Sequence, residues 1–153
     1  MKNPSSLVDE MRYLILARKI KVIGFAIIIG LMVIYGTGML VASNNVNKDM
    51  AMLNLISVIA APVLCILSVY LRKSRMKSIT NENFKEKFPG VYILAFAMCD
   101  LGGLFCITTN LFINYNFIYA TFGLLVSALY IWINFPKPND LEIINNKSKS
   151  VPV

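Results

Sequence analysis

The chain has 153 residues, 57% of them hydrophobic and only 15% charged, with a mean hydropathy of +0.64 and a formal net charge of +7. That balance excludes both a water-soluble globular domain and a disordered chain. It also leaves no room for a sizeable soluble catalytic domain, and points to an all-α integral membrane protein built as a four-helix bundle.

In chain order, residues 1–20 come first. Ser6 stands as an N-cap with Asp9 three positions on, and Leu7, Met11, Leu14, Ile15 and Arg18 follow at helical spacing. This is the pattern of a short amphipathic helix lying at the membrane surface, or of a docking face for a partner. The apolar run behind it is far longer than the about 7–15 residues of a signal-peptide core, so the segment is expected to stay attached.

No charge occurs from Val22 to Asn47, nor from Met50 to Leu71. A hydrocarbon core of about 30 Å needs about 20 helical residues. This places crossing one near residues 21–42 and crossing two near 51–71. From Phe88 to Pro136 the only charge is Asp100. That span is too long for one crossing, and Asn110, Asn114 and Asn116 divide it into crossing three near 90–110 and crossing four near 113–135. Pro89-Gly90 marks the entry to crossing three, Pro136 and Pro138 stop crossing four, and residues 136–153 read as a flexible tail. The runs lack the alternation of barrel strands, so their backbone groups must be satisfied within helices. Pro62 predicts a kink in crossing two.

Lysine and arginine set the orientation. Lys2, Arg12, Arg18, Lys19 and Lys21 precede crossing one; Arg72, Lys73, Arg75, Lys77, Lys85 and Lys87 lie between crossings two and three; Lys137, Lys147 and Lys149 follow crossing four. Lys48 alone falls on the other side. The positive-inside bias then predicts both termini in the cytoplasm, with the chain in a bacterial inner membrane. The same distribution assigns the excess charge to lipid headgroups rather than to nucleic acid.

Few chemistries remain open. The chain has no histidine, which removes the commonest general base and the usual zinc and haem ligand. Cys65, Cys99 and Cys106 fall inside apolar runs without C-x-x-C spacing and read as small packing residues. No Gly-rich phosphate loop, nucleophile elbow or paired carboxylates occur, so no enzyme, metal or cofactor is expected. Small residues at packing distance do recur: Ala26, Gly30 and Gly38; Ser57, Ala61, Cys65 and Ser68; Ala95, Cys99, Gly102, Gly103 and Cys106; Gly123 and Ser127. They predict close helix contacts, inside one bundle or with further copies or other membrane subunits.

Asp100 lies ten residues beyond Gly90, about 15 Å into the membrane at about 1.5 Å per residue. An aspartate at that depth costs about 2.5–3.5 kcal/mol on insertion scales. No lysine or arginine stands at its level. A largely protonated carboxyl is therefore expected, bonded to Asn54, Ser57, Ser127 or a backbone carbonyl on a neighbouring helix. Two roles follow. Asp100 is a static interhelical hydrogen bond in a non-enzymatic helix-packing subunit, or the proton or cation site of a small proton-coupled transporter.

The segment Ala97-Met98-Cys99-Asp100-Leu101-Gly102-Gly103-Leu104-Phe105 resembles the ion-carrying helix of the F-type ATP synthase proteolipid, subunit c, whose pattern is like A-L-x-E-A-x-G-I-x-G. As in that family, it follows a basic polar loop. The resemblance implies that Asp100 is an ion-binding carboxyl and Gly103 the small residue of a tight helix contact. It covers one helix and its loop. Crossing two lacks the proteolipid's four-spaced glycines, and the loop lacks its Arg-Gln-Pro turn.

Overall fold

The computed structural model describes residues 4–42, 50–79, 83–113 and 115–141, with side chains from Glu10 onward. Ser6, Leu7 and Asp9 as side chains, and Lys2, Lys48, Asn114, Lys147 and Lys149 altogether, lie outside the described residues. Helix α1 runs from Pro4 to Val41 without a break. Proline is well placed at a first helical position, and no glycine or proline occurs from Ser5 to Ile23 to end the helix. The boundary expected near residue 20 is therefore absent, and the N-terminal segment is an extension of the long helix. Its 38 residues span about 57 Å, nearly twice a hydrocarbon core. Within the extension Tyr13, Ala17 and Ile20 are buried, and Met11, Leu14 and Ile15, on the apolar face expected for it, are 65%, 64% and 55% exposed.

Helix α2 covers Ala51–Met76 and keeps Pro62 inside it. It outlasts the apolar run because Arg72, Lys73 and Arg75 are good helix formers, and cations near a helix C-terminus interact favourably with its dipole. Helix α3 covers Phe84–Thr108. It begins ahead of Pro89-Gly90 and keeps Pro89 in its second turn, where the proline removes the donor that would reach the Lys85 carbonyl. A π-helical turn, Thr109–Ile113, extends α3, which is why the next helix starts later than residue 113. The chain then reverses through Tyr115, whose φ of 52° is left-handed. Asn116 donates its backbone N–H to the Asn110 carbonyl at 2.6 Å. The Asn116 side chain caps helix α4, Phe117–Ile133, by accepting from the Tyr119 N–H.

Three spans, Glu10–Val41, Ala51–Met76 and Phe84–Ile113, are long and apolar enough to cross a membrane; α4 is apolar and shorter. The distribution of side chains agrees with a lipid surround. Val33, Leu40, Met52, Ile59, Ile66, Leu125 and Leu129 point outward. The buried line of α2 is Asn54, Ser57, Ala61, Cys65, Ser68, Arg72 and Met76. In water this inversion would be costly; in hydrocarbon it places polar groups where partners exist.

Helix α3 is the axis of the bundle and packs against the other three. Against α2 the backbones nearly touch: a Cβ on Gly102 would lie 3.2 Å from both the Cα and the carbonyl oxygen of Ala61. Against α4, Gly123 faces Cys106 and Gly103 faces Ser127. Gly24 of α1 seats Phe96 and Phe135, and Gly38 seats Leu111. The segment after α4 is packed as far as it is described. Tyr13 donates its hydroxyl to the Lys137 carbonyl, Leu141 lies against the core, and residues 138–141 form one helical turn. The flexible-tail expectation thus fails for residues 136–141, and residues 142–153 lie outside the described residues.

Candidate functional site

The polar residues that α2 turns inward meet two asparagines, one from the end of α3 and one from the end of α4. Near the α2 N-terminus, the Asn110 amide donates to the Ser57 hydroxyl at 2.9 Å and to the Cys106 carbonyl at 2.7 Å. Ser57 in turn donates to the Asn54 carbonyl at 2.8 Å. The Cys106 thiol donates to the Tyr119 carbonyl of α4. Near the other end, the Asn134 amide donates to the Ser68 hydroxyl at 2.8 Å, and Ser68 donates to the Cys65 carbonyl at 2.6 Å. The Cys99 thiol lies 3.1 Å from the same hydroxyl. Both asparagines are fully buried, and the side-chain oxygen of each accepts no hydrogen bond. They tie three helices together in a medium that supplies no competing water. An Asn134→Ala, Ser68→Ala double-mutant cycle in SDS-unfolding titrations is expected to give a coupling of about 0.6 kcal/mol, the usual worth of such a bond between membrane helices.

Beyond Asn134 stands Arg72, which sequence reading assigned to a basic loop. It lies in the last third of α2 and is 7% exposed. Its guanidinium donates to the Asn134 and Phe135 carbonyls at 3.3 and 3.4 Å, at the α4 C-terminus where carbonyls lack helical donors. It also lies 5.8 Å from the centre of the Tyr92 ring. Tyr92 donates to the Asp140 carboxylate at 2.6 Å, and that carboxylate accepts the Lys137 N–H at 2.8 Å. One chain of contacts thereby joins α2, α3, α4 and the segment after α4. Asn110, Asn134, Arg72, Tyr92 and Asp140 are the polar residues that sequence reading did not single out as site residues. Their signal was weak, because each looks like a helix end, an interfacial aromatic or a topology charge.

Asp100 stands apart from both clusters. Successive helical residues are about 100° apart, so Asp100 is turned off the buried line to which its neighbour Cys99 belongs. It is partly buried and makes no hydrogen bond or ion pair with any described residue. Two of the partners expected for it are engaged elsewhere: Ser57 with Asn54 and Asn110, and Ser127 with Cys65, whose sulfur is 3.9 Å away. Asn54 is buried on the α2 face. Phe96 and Gly103, one turn to either side, touch α1 at Gly24 and Leu31. Asp100 therefore flanks α3 on the side of α1, where residues 25–30 of α1 carry no polar side chain.

The other expected packing residues divide in the same way. Ser57, Ala61, Cys65, Ser68, Ala95, Cys99, Gly102, Gly103, Cys106, Gly123 and Ser127 are buried, and so is Gly38. Ala26 is exposed, and a Cβ on Gly30 would meet no atom within 4 Å. The core-facing line of α1 runs instead through Ala17, Ile20, Gly24, Ile28 and Leu31. Cys65, Cys99 and Cys106 are free thiols. No cluster of three or more metal-ligating side chains occurs among the described residues. In comparisons with protein-family models, curated proteins and solved structures, nothing matches this chain.

Proposed function

We propose that this chain is a non-enzymatic, multi-pass protein of a bacterial inner membrane, with four crossings and both termini cytoplasmic. It serves as a helix-packing subunit that associates with further copies or with another membrane subunit. The observation that carries this reading is Asp100, a carboxyl deep in an apolar helix without a hydrogen-bond or ion-pair partner among the described residues. Acidic side chains at that depth are kept where a partner meets them. Phe25 and Tyr35 mark the α4 side of α1, through the Trp132 and Phe135 rings and the Thr121 hydroxyl. Ile27, Gly30 and Ile34 then lie on the flank of α1 that adjoins Asp100. Gly30, open on that flank, leaves room for an incoming helix to come close to the carboxyl.

The test is the mass of the protein in mild detergent and after cross-linking in membranes. The expected result is a species larger than the 17.1 kDa chain. Asp100→Leu and Gly30→Leu should each weaken association without destabilising the bundle itself. One interhelical hydrogen bond is worth about 0.6 and at most about 1.7 kcal/mol, so the Asp100→Leu effect is about three- to twenty-fold in the dissociation constant. A strictly monomeric wild type overturns the proposal. The proton-coupled reading makes a different demand: proton flux in reconstituted vesicles that Asp100→Asn abolishes.

A further inference from the structure

Gly24 packs against Phe135, so the part of α1 before Lys21 extends past the end of α4. There, on the side of α1 away from Tyr13, Ala17 and Ile20, an open groove of about 560 Å³ is lined by Ile15, Arg18, Lys19, Val22 and Ile23. Arg18 and Lys19 form no ion pair or hydrogen bond with any described residue. Val22 and Ile23, 61% and 38% exposed, lie one helical turn nearer the apolar stretch. Ile15, 55% exposed, adds an apolar residue on the far side of the two cations. From Arg18 and Lys19 toward the apolar stretch, charge gives way to hydrocarbon in the order in which a phospholipid presents its phosphate and its acyl chains.

We propose that this groove is a binding site for an anionic phospholipid, with the phosphate on Arg18 and Lys19 and an acyl chain along Val22 and Ile23. The proposal rests on the bilayer reading of the chain. Lys85 and Lys87, exposed at the start of α3, belong to the same basic end but do not line this groove. Diffuse attraction to an anionic surface would use both pairs alike, whereas a site depends on Arg18 and Lys19 alone.

The experiment uses the full chain in neutral detergent, with phosphatidylglycerol or phosphatidylcholine added, and reads lipid retention by native mass spectrometry. Wild type is expected to retain phosphatidylglycerol in preference to phosphatidylcholine. Arg18→Gln with Lys19→Gln should weaken that retention about thirty-fold, the equivalent of about 1 kcal/mol for each of the two cations near an anionic headgroup, while Lys85→Gln with Lys87→Gln should leave it near wild type. Equal retention of the two lipids overturns the proposal, as does an equal loss from both double variants. Water-soluble glycerol phosphate should not compete at lipid concentrations; if it competes fully, the occupant is a free phosphate and the lipid assignment fails. A chain that stays soluble without detergent would overturn the bilayer reading itself, separately from the site.

Discussion

Replacing Gly102 by valine is expected to destabilise the bundle by about 2–3 kcal/mol, within the usual range for overfilling a packed interface. The cause is the nature of the neighbour. A Cβ at Gly102 would stand 3.2 Å from Ala61 backbone atoms, which cannot rotate away as a side chain can. The two γ-methyl groups of valine add to the crowding. The better helix propensity of valine over glycine returns only a few tenths of a kcal/mol, so the steric term decides the sign. Gly30→Ala is the counterpart. With nothing within 4 Å of its Cβ, it should gain up to about 1 kcal/mol from helix propensity alone. Both are measured by SDS unfolding read with a thiol-reactive dye, since Cys65, Cys99 and Cys106 are all buried in the folded bundle. A Gly102→Val protein as stable as wild type would rule out the close approach of α2 and α3.

Arg72→Gln is expected to cost about 2–3 kcal/mol and to loosen one end of the molecule selectively. The guanidinium serves two carbonyls at the α4 terminus, and hydrogen bonds to charged groups are worth about 1.5–3 kcal/mol. Glutamine is too short and uncharged to replace that nitrogen, which donates to both carbonyls. Lysine keeps the charge but lacks the planar guanidinium beside the Tyr92 ring, and should recover only part of the loss. Hydrogen–deuterium exchange over residues 133–141 should rise about tenfold or more, because Arg72 holds Asn134, Phe135 and, through the Tyr92 ring, the site where Asp140 docks. Lys73→Gln, next in sequence but exposed, should leave exchange there unchanged. If both variants behave alike, Arg72 acts only as one more basic charge at that end.

Helix placement was largely legible in the sequence, and the places where it was not share a cause. Charge-free runs located α1, α2 and α3 because the preference of each residue for lipid or water is a property of that residue. Boundaries moved where a local signal was outweighed. Pro89-Gly90 did not open α3, which begins at Phe84 and packs Phe88 against Tyr13 and Tyr92. The break expected from Asn110 became a π-helical turn whose asparagine bonds inward to Ser57. The tail did not read as structured because its anchors, Tyr13 and Tyr92, are 124 and 48 residues away from Lys137 and Asp140. No window of local sequence contains such a pairing.

The same division holds for the candidate site. Composition and run length by themselves determined that these helices belong in lipid and that Asp100 is the lone charge between Phe88 and Pro136. Transfer free energy sums residue by residue and needs no knowledge of neighbours. Which way each side chain turns was decided only by tertiary packing. A step of one residue rotates the direction by about 100°, so Cys99 is enclosed by α2 while Asp100 is left on the α1 flank. Likewise Arg72 is drawn inward by α4 carbonyls, although nothing in its own sequence distinguishes it from Lys73.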